Sequence, residues 1–196
     1  MQVGVDILWS YASGVAVTKA GDWGEVVLAE RTRPFNESDI RYFTPLMEAT
    51  ERRLGTRPKY GAWDTAFDAF YVYEYFHQAG GFAAVPLNEG KRGAGRRFSE
   101  EGLPLCAAGL AMPLKSTYLH RSDLVEHERG KHVCPLLFPK PTGENCPIAD
   151  AHFAKGGCTT TIATSIGARI RHQLDRQSEG YKLVFNQRTA TERINA

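Results

Sequence analysis

Leu8–Lys19 mixes Val, Tyr and Ala with small polar residues, and Glu25–Arg31 (EVVLAER) follows the turn chemistry of Ala20-Gly21-Asp22. This pattern predicts a β-hairpin, with Gly14 bending or bulging its first strand. A helix is expected next, capped by Ser38 or Asp39 and running to about Arg53. Ile40, Phe43, Leu46 and Met47 share one of its faces, and Gly55 stops it. Lys59–Trp63 reads as a short strand. Thr65–Gln78 reads as a helix, with Phe67, Phe70, Tyr71, Tyr75 and Gln78 at helical spacing and Gly80-Gly81 at its end. Phe82–Leu87 is a further apolar strand, so strand, helix and strand predict a parallel pair with a right-handed crossover. Helix is expected again over Ser165–Arg171 and Ser178–Asn195, interrupted at Gly180.

Glycine and proline punctuate this pattern unevenly. Residues 88–157 hold nine of the 19 Gly, six of the 10 Pro and three of the four Cys, and Cys158 follows directly. The chain therefore divides into a first half over 1–87, a loop-rich or short-stranded insertion over 88–160, and C-terminal helices over 161–196. Its 196 residues suffice for one domain with its own core. Apolar residues at 42% and charged residues at 23% exclude a mainly disordered chain, a collagen-like repeat or a coiled coil. Apolar runs such as Val26–Ala29 and Leu136–Phe138 fall far short of the roughly 18 residues that span a bilayer. No basic start precedes an apolar stretch in residues 1–20, so the expected location is cytoplasmic, with no membrane partner.

Net charge is +2, yet residues 155–196 carry seven Lys or Arg against three Asp or Glu, a surplus of +4. A basic end on a near-neutral body suits an anionic partner; the plainer reading is a solvated helix face. Asp64 falls between a strand and a helix, the edge of an open α/β sheet where ligands gather. Its plainer role is an N-cap, and Asp68 invites the same question. Tyr181, Phe185, Arg188 and Glu192 are spaced four, three and four apart, which aligns them on one helix face.

The segments WSYASG (Trp9–Gly14), VLAERT (Val27–Thr32), AWDTAFDA (Ala62–Ala69), AVPLNEG (Ala84–Gly90), LPLCAAGLAM (Leu103–Met112), HVCPLLF (His132–Phe138) and FNQRTATERIN (Phe185–Asn195) occur in that order. Together they resemble the DDE-type transposases of bacterial insertion sequences, over nearly the whole chain. Phe185, Arg188 and Glu192 fit the family's aromatic-x2-Arg-x3-Glu signature, with Phe where Tyr is usual. Asp64 fits the aspartate ending the fourth strand, with Phe67 and Asp68 following it in an Asp-x2-Phe-Asp run. The resemblance implies an α/β, ribonuclease H-like mixed sheet with flanking helices, interrupted by the Cys-, Gly- and Pro-rich insertion. It also implies DNA transposition by metal-dependent phosphodiester hydrolysis and strand transfer, on transposon ends and target DNA, at the nucleoid.

Such enzymes hold two divalent ions, Mg²⁺ or Mn²⁺, with three carboxylates. Mg²⁺ favours oxygen ligands and keeps several waters. Two ions about 4 Å apart serve an in-line displacement. The resemblance makes Asp64 and Glu192 metal ligands, and Arg188 a contact to DNA phosphate or a guide for the glutamate. The family's first aspartate is expected upstream of WSYASG, where only Asp6 stands. The sequence ends four residues beyond Glu192, where family members continue. The expectation is a fragment truncated at both ends, with little or no strand cleavage. The alternatives are a non-catalytic remnant that binds DNA or pairs with full-length transposase or its own copies, and a zinc-stabilised binding module.

Lys91, Arg92, Arg96 and Arg97 straddle a Gly-rich loop and in this reading track the DNA backbone; the plainer reading is a flexible, solvated loop. GKRGAG lacks the Gly-Lys-Ser/Thr ending of a P-loop. Cys134, Cys146 and Cys158 are separated by 11 residues each. Zinc takes tetrahedral Cys or His ligands, which makes these three candidates, with a fourth from Cys106, His132 or His152. Reduced structural thiols are the alternative. His77, His120 and His127 show no metal spacing.

Overall fold

The computed structural model describes residues 11–21, 24–34, 36–88, 96–121 and 124–189. Asp6, Lys91, Arg92 and Glu192 lie outside the described residues, as do the ends of the first strand and last helix expected from sequence. Within them the chain is a mixed α/β structure with four α-helices and three small sheets. No helix among the described residues is long and apolar enough to cross a membrane.

The expected hairpin is present as β1 (Tyr11–Lys19) and β2 (Glu25–Pro34), paired antiparallel. Gly14 does not bulge it: the register slips between Ala16 and Val17, and Gly14 stays in the regular ladder opposite Arg31. Gly14 is small for another reason. A Cβ there would lie 2.8 Å from the Tyr42 ring, which crosses the strand so that its hydroxyl donates to the Ala12 carbonyl at 2.7 Å. The helix expected from Ser38 begins as a 3₁₀ turn over Asp39–Tyr42 and becomes α1 (Phe43–Leu54), ended by Gly55 at φ 70°. Pro45 sits in the first turn of α1, where a missing N–H costs nothing.

Strand β3 (Tyr60–Ala62) pairs in parallel with β4 (Phe82–Ala84), and α2 (Phe70–Gln78) crosses between them as predicted. Both strands are shorter than their apolar runs. The helix expected over Thr65–Gln78 is broken, because a 3₁₀ turn over Thr65–Phe67 ends at Asp68 and Ala69 is extended. Phe43, Phe67, Val72, Tyr73, Phe76, Ala83 and Val85 form the core with Leu46 and Met47. Phe43 meets Trp63, Tyr75 and Phe76 edge-on at 5.3, 5.6 and 6.3 Å, the geometry that aromatic quadrupoles favour.

The insertion carries its own antiparallel sheet in the order β5 (Leu114–His120), β6 (His127–Val133), β7 (Thr159–Ala163). Strand β7 runs across residue 160, so the sheet extends beyond the insertion boundary expected from sequence. Every β5 residue from Leu114 to Leu119 is exposed, which hides the strand from any search for alternation. No described residue of the module joins the buried core cluster. Its own buried groups include Met112, His132, Val133, Cys134 and Leu136. The module touches α2 where the His127 ring packs on Phe70 at 4.6 Å.

Helix α3 (Ile166–Gln173) follows β7 after Thr164 and Ser165, and packs on α2. Gly167 permits that contact: a Cβ there would stand 2.1 Å from the Phe70 carbonyl oxygen. Helix α4 (Glu179–Phe185), capped by Ser178, continues as a 3₁₀ turn over Asn186–Arg188. Gly180 lies inside α4 and does not interrupt it. Helix α4 packs on β3 and β4, and the 3₁₀ turn packs on β3.

Candidate functional site

Asp64 stands just past the C-terminal end of β3, where the Trp63 amide still donates to the Ala84 carbonyl at 3.0 Å. Its side chain is exposed. One oxygen, Oδ1, accepts the Ala66 N–H at 2.8 Å and caps the 3₁₀ turn. Among the described residues Oδ2 has no partner, so it is open to a hydrated cation. The cap and the ligand readings of Asp64 are thus compatible. Beside it, the Trp63 ring packs on Phe67 at 4.7 Å, and its buried Nε1 has no partner among the described residues.

Asp68 is different in kind. Its side chain is 1% exposed, and both oxygens are taken. Oδ1 accepts from the Tyr73 hydroxyl at 2.6 Å and Arg171 Nε at 2.8 Å. Oδ2 accepts from Arg171 Nη2 at 2.5 Å and the Asn88 amide at 2.6 Å. A carboxylate with these four charge-assisted or short bonds has no lone pair left for a metal. The broken helix has the same origin: Asp68 leaves the helical path so that its carboxylate turns inward.

Arg176 closes this polar node. It donates to the Val85 carbonyl and the Tyr73 hydroxyl at 2.9 Å each, and to the Arg171 carbonyl at 2.9 Å. Burial, then the Asp68 carboxylate, pushes the Tyr73 phenol far above its usual value. The His172 imidazole is pushed down to about 4, first by burial and then by Arg171 and Arg96. Its Nδ1 accepts from the Arg96 amide at 3.2 Å. The Tyr181 phenol is raised by burial and lowered in part by the nearby Arg176 guanidinium, which sets α4 beside the node. Tyr73, Arg171 and Arg176 are not singled out by sequence. The available signal was Asp68 itself, an ionised group set among aromatics, which demands a buried cation.

Within the described residues, Tyr181, Phe185 and Arg188 of the C-terminal motif share one face as their spacing predicts. Tyr181 and Phe185 stack at 5.7 Å with 13° between their planes, and the Arg188 guanidinium lies 5.5 Å over the Phe185 ring. The turn bearing Arg188 packs on β3, the strand that leads to Asp64. Glu192 lies outside the described residues, as do Lys91 and Arg92. Arg97 is exposed, whereas the Arg96 guanidinium donates to Thr160 Oγ1 on β7.

The cysteines group differently from their sequence spacing. Cys158 lies close enough to Cys106 and Cys134 for both thiols to act on it electrostatically. Burial, then those two thiols, pushes the Cys158 thiol up to about 11. Cys146 opens a separate turn, its carbonyl accepting the Ala149 amide at 3.0 Å. His132 is buried, with Nδ1 3.0 Å from the Met112 carbonyl. All four cysteines are free thiols. As the side chains stand, no group of three or more His, Cys, Asp or Glu among the described residues closes around a metal ion. For the divalent ions the donor set fits in part, through Asp64 alone among the described residues.

No protein-family model matches this chain, and neither curated proteins nor solved structures provide a match.

Proposed function

We propose that this chain is catalytic-core sequence of a DDE-type DNA transposase that binds DNA and cleaves it little or not at all. The observation that carries this reading is the placement of Asp64. It is an exposed carboxylate with one uncommitted oxygen, at the C-terminal end of a strand in a parallel β–α–β unit. The packing of the Arg188 turn on that same strand supports it, since the signature around Glu192 continues from that turn. In this reading Asp64 and Glu192 hold Mg²⁺ or Mn²⁺, and Arg188, Lys91, Arg92 and Arg97 meet DNA phosphate. The ions, when bound, supply charge for an in-line displacement at phosphorus. Asp68 positions the segment that follows Asp64 and takes no part in metal binding.

The test combines two assays on the full chain. Duplex DNA is expected to bind with an affinity that falls steeply with salt, as phosphate contacts require. Supercoiled DNA is expected to stay intact in Mg²⁺ or Mn²⁺, for the parent chain and for Asp64→Ala and Glu192→Ala alike. Nicking that both substitutions abolish would establish a complete active site, with Asp6 as its third carboxylate. Absence of DNA binding at low salt would overturn the proposal.

A further inference from the structure

The geometry points to a zinc site in the module, built by Cys106, Cys134 and Cys158 with His152, in which Cys146 takes no part. The register of the sheet sets it up. Val133 on β6 is the partner of Thr159 on β7, so the next antiparallel step places Cys134 opposite Cys158. The residue before Cys158 stands against the Cys134 side chain, since a Cβ on Gly157 would lie 3.3 Å from Cys134 Sγ. Gly157 makes this approach possible, because at φ 83° its backbone descends onto Cys134. A Cβ on Gly157 would lie 2.5 Å from the Cys134 Cβ.

Cys106 arrives from a second tight turn. Leu105 bridges Ala111, and the Cys106 carbonyl accepts the Gly109 amide at 2.9 Å. The Met112 amide bonds the Pro104 carbonyl, and the Val133 amide bonds the Pro113 carbonyl at 3.1 Å. The turn is thereby fastened one residue from Cys134. His152 is brought in by its own backbone, whose carbonyl accepts the Gly157 amide at 2.9 Å. Its Nδ1 is 2.9 Å from Asp150 Oδ1, the arrangement in which a carboxylate orients a histidine and leaves Nε2 for a metal.

Three sulfurs and one nitrogen form a familiar donor set for tetrahedral zinc. The module also has reason to hold a metal, since its described residues contribute nothing to the buried core cluster and its strand β5 is solvent-exposed. A metal cross-link can stand in for a missing core. This inference is independent of the DNA reading.

Elemental analysis of the full chain purified without added zinc tests it, with native thiol titration and Co²⁺ substitution. The expected result is one zinc per chain and a cobalt form with tetrahedral and thiolate charge-transfer bands. Cys106→Ser, Cys134→Ser and Cys158→Ser are each expected to lose the metal, and Cys146→Ser to keep it. Asp150→Ala is expected to weaken zinc binding about tenfold while leaving stoichiometry intact. Because the ligand variants can misfold, chelation of the parent chain serves as the second measurement. It should expose thiols and loosen the module, and restored zinc should reverse both. Zinc well below one equivalent with four titratable thiols would overturn the site, as would a Cys134–Cys158 disulfide in its place. Metal loss in Cys146→Ser to the extent seen in Cys134→Ser, or full retention in His152→Ala, would overturn the ligand set.

Discussion

Arg171 on α3 grips both oxygens of Asp68, with Nε 2.8 Å from Oδ1 and Nη2 2.5 Å from Oδ2. This bidentate pair joins residues 103 apart in sequence and fastens the returning C-terminal part of the chain to the segment that enters α2. Because Asp68 is 1% exposed and Arg171 22% exposed, the pair is largely out of water. Breaking one side leaves the other charged and uncompensated. Asp68→Ala is therefore expected to cost about 3–5 kcal/mol, seen as a lower urea midpoint.

Asp64→Ala should behave oppositely. The residue is exposed and makes one capping bond, so its loss costs about 0.5–1 kcal/mol. Its effect should appear in divalent-ion binding, followed by Mn²⁺ relaxation of solvent water. A large loss of stability at Asp64, with little at Asp68, would reverse the roles assigned to the two aspartates.

His172 sets a pH dependence. In the folded chain its pKa lies at about 4, below the ordinary 6.5, so the unfolded chain binds the proton more readily. Its contribution is fully present above about pH 6.5 and is lost as pH falls toward 4. The loss is on the order of 2 kcal/mol. Denaturant titrations across that window should show it, and His172→Gln should flatten that part of the profile. An unchanged slope in His172→Gln would exclude the residue as the source.

Two glycines in helices should respond with opposite signs to alanine. At Gly167 a methyl collides with the Phe70 carbonyl and the Glu74 side chain, so α3 must lift from α2 at a cost of about 1–3 kcal/mol. At Gly180 nothing lies within 4 Å, and the methyl should stabilise by about 0.5 kcal/mol through helix propensity. Thermal melts of the two variants against the parent chain decide it.

Local signals explain what the sequence conveyed. Turn residues and alternation marked the β1–β2 hairpin, Gly55 marked the end of α1, and aromatic spacing marked α2. The four-, three- and four-residue steps of the C-terminal motif did place Tyr181, Phe185 and Arg188 in register. Long-range demands explain the misses. Asp68 breaks a helix because of Arg171, far away in sequence. Gly14 is small because of Tyr42, which crosses above it. Strand β5 shows no alternation because both its faces meet solvent. The pairing of Cys134 with Cys158 follows from a strand register that cysteine spacing alone does not encode.

The connector between β7 and α3 consists of Thr164 and Ser165, and neither is slack. Thr164 donates to the Glu128 carbonyl through both its amide and its hydroxyl, and Ser165 Oγ caps Gly167. Thr164 and Ser165 thus join β6 to the start of α3, whose Arg171 holds Asp68. Four residues before Asp68 stands Asp64. The Thr164–Ser165 connector and Arg171 therefore tie the β5–β6–β7 sheet, through α3, to the segment that carries Asp64.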